Sequence, residues 1–334
     1  MKRNFVSAVF AVSSLLSLSL QSSLSAAEPL QVVVDIAPVN SLVKMVLGEQ
    51  GRTTMLLAPG ADPHHSSLRP SDAKNLSNAD VVFSVSPNLT SQLSDKFLTL
   101  APDALLITFD EEDSGWQLPF RSLKSFSSDS SHNVAHHADD HKDEHHADDH
   151  KDEHHHDHAG QDDPHGWLSP KVATMWIDKI VAALSRADGA HSSVYEKNGI
   201  HAKKRLADLH SALSEQLTMH KDKKFLLEHD TLQYFEALYS LTAAGTFVAG
   251  DGESHGAGTA VRAKKFIAEN GPICLFTQEG LPYHRVKAIL DGSDVIFQPI
   301  DVLGVRQEAE SAELYTEMMY ALGTDISSCL SKIN

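Results

Sequence analysis

The chain has 334 residues, with 45 Asp and Glu against 28 Lys and Arg, a net charge of −17, 41% hydrophobic residues and two cysteines. An acid excess of that size argues against nucleic-acid binding, which depends on cations neutralising phosphates, and the length exceeds what one core usually serves, so two domains are expected. Much of the charge is local: 11 acidic residues face two lysines between His132 and Asp163.

The chain opens with Met1-Lys2-Arg3, then an uncharged apolar stretch from Phe5 to Leu20, then Ser25-Ala26-Ala27. That order reads as a secretory signal peptide, residues 1–27, cleaved after Ala27. Its apolar core is short of the roughly 20 residues a membrane span needs. No cysteine lies near the cleavage point to carry a lipid, so a soluble, exported protein is expected. Val32-Val33-Val34-Asp35-Ile36 is a β-branched run suited to a buried parallel strand. Residues 38–47 read as a helix ending at Gly48, and 53–57 as a strand. Pro70-Ser71-Asp72 starts a helix, 80–85 is a strand, 88–100 a helix and 104–108 a fourth strand. Strands alternating with helices imply a parallel sheet covered on both faces.

Composition then changes. Residues 122–163 hold almost no large apolar side chains, and the nine residues His-His-Ala-Asp-Asp-His-Lys-Asp-Glu occur twice in succession, at 136–144 and 145–153. Such a segment cannot bury enough apolar surface to offset the entropy of ordering it. It reads as a disordered surface loop inserted in the first lobe and, by composition, a metal-binding tract. His136, His137, His141, His145, His146, His150, His154, His155, His156 and His158 are its candidate auxiliary ligands.

Ser169-Pro170 starts the next helix. A long helical stretch from Ser192 to about Lys221 follows, with apolar residues at Leu206, Leu209, Leu213 and Leu217 and one internal glycine, Gly199. It reads as a stiff connector. A second series comes after it: strands at 225–227, 245–248, 273–276 and 295–298, and helices at 230–241, 259–269, 282–290 and 308–322. The expected architecture is therefore α/β: two lobes with parallel sheets covered by helices, joined by one long rigid helix. The lobes are expected at 28–188 and 222–334 and the bridge at 189–221. In an exported chain the even cysteine count favours a disulfide between Cys274 and Cys329.

Four residues stand at strand exits, two in each lobe: His64, His165, His229 and Asp301. Binding residues of open α/β sheets cluster at such exits, and imidazole is the commonest ligand for zinc. Each of the three His alone reads as structural; their shared placement makes them candidate ligands. His65, His191, His201, His210, His220 and His284 read as surface residues, and His255 lies in a glycine-rich loop.

Ala58-Pro59-Gly60-Ala61-Asp62-Pro63-His64 followed by Leu68-Arg69-Pro70-Ser71-Asp72 resembles the first metal motif of the metal-binding receptors of bacterial ABC uptake systems. Pro164-His165-Gly166-Trp167-Leu168-Ser169-Pro170 resembles their second motif, His229-Asp230-Thr231-Leu232-Gln233-Tyr234-Phe235 the third, and Pro299-Ile300-Asp301-Val302-Leu303-Gly304 the fourth. The likeness covers the mature chain with all four motifs in order. The acidic His tract ahead of the second motif points to the zinc branch, of the ZnuA type. The resemblance implies a periplasmic receptor that captures Zn²⁺ between two lobes and delivers it to a membrane permease. A periplasmic zinc chaperone is a further expected partner, and the receptor is expected to be a monomer. It also implies three His ligands, with Asp301, water or Glu279 completing the shell. The tract would be a weaker auxiliary zinc site or a sensor. A zinc hydrolase is the competing reading, since three His and an open position also suit catalysis. However, the His-Glu-x-x-His helix motif is absent from the sequence.

Overall fold

The structure is a computed structural model that describes residues 28–110, 115–121, 162–248, 257–280 and 283–333. The expected signal peptide, the ten histidines of the tract and His255 lie outside these residues.

In the first lobe, β1 (Leu30–Val34), α1 (Ala37–Leu47), β2 (Gly51–Met55), α2 (Pro70–Ser77), β3 (Val81–Ser84), α3 (Ser91–Leu100) and β4 (Leu105–Thr108) follow in turn. The strands form a parallel sheet in the order β2-β1-β3-β4. The helices α4 (Pro170–Ala187) and α5 (Ser192–Leu217) follow. The second lobe repeats the pattern with β5 (Lys224–His229), α6 (Gln233–Tyr239), β6 (Thr242–Val248), α7 (Ala257–Asn270), β7 (Ile273–Gln278), α8 (His284–Ile289), β8 (Val295–Ile300) and α9 (Leu314–Leu330). Its sheet is also parallel, in the order β6-β5-β7-β8. The sheets share one winding scheme, and each changes direction on either side of its first strand, where the strand exits open a crevice.

The 26 residues of α5 span about 39 Å at 1.5 Å per residue. The helix is not a free-standing rod. Its apolar positions Tyr195, Ala202, Leu206, Leu209, Leu213 and Leu217 are buried, and it packs on α1 and α4 of the first lobe and α9 of the second. Asn198 donates to the Val46 carbonyl at 2.9 Å, and Arg205 pairs with Glu313. Gly199 has a packing reason: a Cβ there would lie 2.5 Å from Val181 of α4. One buried core runs through both lobes, and a second, smaller one lies in the second lobe beneath α7 and α8.

The last helix departs from expectation. Residues 308–313 have helix-forming composition, but the Ser311 hydroxyl accepts the Glu313 N–H and the Ser311 N–H bonds the Glu308 carbonyl, which makes a turn. The helix starts where Leu314 and Tyr315 are buried, with the Tyr315 N–H on the Ser41 hydroxyl of the first lobe. It continues to Leu330, and Cys329 bonds Cys274 of β7 in a disulfide.

Candidate metal centre

Each histidine is placed by local chemistry that its motif encodes. After β2 the chain reaches Asp62, whose carboxylate accepts the His64 N–H at 3.0 Å and opens a single 3-10 turn over Pro63–His65. Pro63 sets the first turn dihedral in advance. The turn points His64 inward and leaves His65 exposed. Arg69 donates to the Leu56 carbonyl at 3.2 Å and pairs with Asp72, closing the loop back onto the end of β2.

His165 precedes a 3-10 turn, Gly166–Leu168, and the Ser169 hydroxyl caps α4. Asp163 accepts the His165 N–H at 2.9 Å and its carboxylate lies 2.7 Å from Nδ1, which leaves Nε2 to face the crevice. This carboxylate–imidazole pairing fixes tautomer and ring orientation in metal sites. Gly166 is required because a Cβ would sit 2.5 Å from the Trp116 ring. The Trp167 indole N–H donates to the Val302 carbonyl of the other lobe at 2.8 Å.

His229 is the last residue of β5, two positions closer to the strand than the sequence suggested. Its Nδ1 lies 3.4 Å from Oε1 of Gln278 on β7.

The three rings face one another with centroids 5.7, 5.3 and 5.4 Å apart. One nitrogen from each lies within 4.8 Å of the other two, and among the described residues these form the one group of three or more His, Cys, Asp or Glu able to share an ion. Nε2 of His64 and Nε2 of His229 are buried without a hydrogen-bond partner. An orphaned buried polar group costs about 1–3 kcal/mol, so two at one point mark a place where a ligand supplies what the protein withholds. The cavity between the rings, rimmed by Pro63, Trp167, Val302 and Leu303, has a volume of ≈ 10 Å³. That is room for a body of about one water molecule, too small for an organic substrate.

Burial lowers the His64 pKa to about 2, with the His165 and His229 imidazoles adding like-charge repulsion. Burial also pushes His165 far below its usual value, again with His229 beside it. Both imidazoles are therefore neutral at ordinary pH, the form that binds metal. Burial raises Asp163 well above the usual carboxylate range.

The structure brings three of the four main candidates together. Asp301 is fully buried but accepts four backbone N–H groups, from Leu303, Gly304, Val305 and Arg306, at 2.8–3.1 Å. It shapes the loop that supplies Val302 and Leu303 and is not one of the grouped ligands. Glu279 is ion-paired with Arg306. His220, expected on the surface, is buried because the end of α9 covers it; its Nε2 pairs with the Ser327 hydroxyl at 2.9 Å. Arg121, Asp230 and Glu236, an ion-paired cluster that begins at the residue after His229, went unnoticed in the sequence. Asp230 follows a candidate ligand directly, but nothing local says that an Arg more than 100 residues away pairs with it.

Two α/β lobes whose strand exits converge on three imidazoles define a metal-binding receptor of the two-lobed, helix-bridged class. The chain belongs to the ZnuA family, described as zinc-uptake complex component A, periplasmic, whose sequence model matches residues 32–329. It is 32% identical over 309 residues to the high-affinity zinc uptake system protein ZnuA of Paracoccus denitrificans, covering 91% of this chain and 93% of that one. It is 29% identical over 307 residues to the protein of the same name from Brucella suis, with 90% and 92% covered. Among solved structures, a crystal structure of ZnuA superposes with a TM-score of 0.70 at 18% identity, covering 90% of this chain and 99% of that one. The periplasmic zinc-binding protein TroA from Treponema pallidum superposes at 0.68 and 17% identity, covering 91% and 99%. At these identities the superpositions establish the fold.

Proposed function

We propose that His64, His165 and His229 hold one zinc ion in the interlobe crevice as cargo, with a water molecule as fourth donor. The chain is a zinc-uptake receptor and not an enzyme, as its family membership states. The observation that carries the ligand assignment is the convergence of three imidazoles, His64 and His165 buried and His229 half-buried, two with orphaned Nε2 atoms, on a cavity the size of an ion. Three nitrogen donors suit zinc, whereas oxygen-rich shells suit manganese.

In this reading residues 28–188 and 222–334 are two jaws and 189–221 the beam between them. Residues 1–27 direct export and are cleaved after Ala27, and the receptor works as a monomer. It hands its ion to the membrane permease of the uptake system, and a periplasmic zinc chaperone is a further donor or acceptor. The tract bearing His136 to His158 binds further zinc ions more weakly, because each ion must order the chain it binds.

Zinc titration by calorimetry against competing chelators tests the assignment. The mature protein, a variant lacking residues 132–158 and the variant His64→Ala are compared. One tight site is expected to survive the deletion, with weak additional binding lost, and to disappear in His64→Ala. A tight site that vanishes with the tract and persists in His64→Ala would place the receptor site outside the crevice.

A further inference from the structure

The two chain segments on either side of the histidine-rich tract, 115–121 and 162–163, pair with each other before they separate. Pro119 and Asp162 form an antiparallel bridge, and the Asp163 N–H donates to the Leu118 carbonyl at 2.8 Å. This short ribbon leaves the first lobe and lies against α6 of the second. The Leu118 N–H donates to the Tyr234 hydroxyl at 2.9 Å, which donates in turn to the Asp163 carbonyl at 2.8 Å. The Gln233 amide donates to the Pro119 carbonyl at 3.1 Å. At the ribbon's end, Arg121 grips two carboxylates of the second lobe: its Nε lies 3.0 Å from Asp230 Oδ2, one Nη 2.7 Å from Asp230 Oδ1, and the other Nη 3.1 Å from Glu236 Oε2. Asp230 and Glu236 are both buried.

The same ribbon thus touches the setting of two of the three imidazoles. On one strand Asp163 holds the His165 ring directly. On the other, Arg121 holds Asp230, the residue next to His229. The hold on the His229 ring itself is loose, at 3.4 Å from Gln278, against 2.7 Å between His165 and Asp163. The ring's place therefore depends on the backbone of residues 229–231. That backbone is fixed by the Asp230 N–H on the Val248 carbonyl, by the Thr231 N–H on the His229 carbonyl and by the Arg121 fork on the Asp230 side chain.

We propose that Arg121 is a positioning residue of the zinc site: forked between Asp230 and Glu236 from the opposite lobe, it keeps His229 where the other two imidazoles need it. The inference rests on the three-histidine assignment above. A planar guanidinium fixes position as well as charge, which a lysine ammonium does not. Partners outside the ligand shell typically alter metal affinity about 10- to 100-fold, and Arg121 acts on a ligand through one intervening residue.

The test uses the mature full-length protein with zinc, by chelator competition at substoichiometric metal, and with one equivalent of Co²⁺, by visible absorption. The variants are Arg121→Gln, Arg121→Lys, His64→Ala and Ile267→Ala; Ile267→Ala lowers stability from the separate core of the second lobe. Arg121→Gln is expected to weaken zinc about 10-fold or more and to change the cobalt band. Arg121→Lys should fall between it and the wild type. Ile267→Ala should lower the melting temperature while leaving both metal readouts unchanged. Wild-type affinity and cobalt band in Arg121→Lys and Arg121→Gln overturn the positioning role, and so does an equal change in Ile267→Ala. Should Arg121→Gln not fold, Arg121→Lys decides alone. Tight zinc retained in His64→Ala would instead remove the three-histidine site itself, and the role of Arg121 with it.

Discussion

Asp163 shows how much of the proposed metal site can rest on a residue outside the three grouped imidazoles. Its carboxylate fixes the His165 tautomer, so Asp163→Ala should leave all three ligands present yet weaken zinc about 10- to 100-fold in chelator competition. Unchanged affinity would remove that role. A second outcome follows from the depressed His64 pKa, about 2 in the fold against about 6.5 in an unfolded chain. Below about 6.5 the unfolded state takes up a proton that the metal-free fold refuses, so stability rises with pH through this window. The contribution is fully present above about 6.5 and declines as pH falls toward 2. Melting temperatures of chelator-treated protein should fall between pH 7 and pH 5, and less steeply in His64→Ala; equal slopes would sink the argument. At this scale the sequence was most legible where a motif is local. Asp62-Pro63-His64 and Asp163-Pro164-His165 contain the hydrogen bonds that place their own imidazoles. Asp301 is the contrasting case: a carboxylate at a strand exit reads alike in sequence whether it faces an ion or accepts the N–H groups of its own loop, as it does in this structure.

Among the elements, the strands were legible because runs such as Val81-Val82-Phe83 are buried on both faces and carry no alternation. The onset of α9 was not, since the serine turn at 311 and the burial of Tyr315 against the first lobe are contests that only tertiary structure decides. Gly199 is the clearest element-scale case. In isolation a mid-helix glycine costs roughly 1 kcal/mol relative to alanine, which suggests a weak point in α5. In the fold it lies against α4, where an added Cβ would come within 2.5 Å of Val181. Gly199→Val should therefore destabilise despite removing a flexible residue, by about 1–3 kcal/mol, read as a lowered denaturation midpoint. A midpoint equal to or above that of the wild type would show that Val181 can move aside.

For the whole molecule, the decisive arrangement is that α5 is buried against elements of both lobes and that one core is continuous between them. Large hinge closure needs an interface that can part, and here parting would expose Leu206, Leu209, Leu213 and Tyr315 together. Zinc binding is thus expected to change the overall dimensions little. Small-angle scattering of the tract-deleted variant with and without zinc should give radii of gyration that agree closely, and a contraction like that of a hinged receptor would contradict the beam. Two lobes and a bridging helix could be read from periodicity. That the bridge is a shared core element could not, because its apolar stripe names no partner.

The narrowness of the crevice also bears on which ions get in. A space of ≈ 10 Å³ between the rings takes about one water-sized body, so an ion held there, as proposed, keeps little of its hydration shell. Water is exchanged for imidazole nitrogen as the ion is bound, and only an ion that releases water readily and accepts that nitrogen is compensated for the loss. Mg²⁺, which dehydrates reluctantly and takes oxygen donors, would be poorly compensated at the proposed site, whereas Zn²⁺ would meet the nitrogen donors it favours. Under the proposed assignment the cost of dehydration thus joins donor chemistry in choosing the ion.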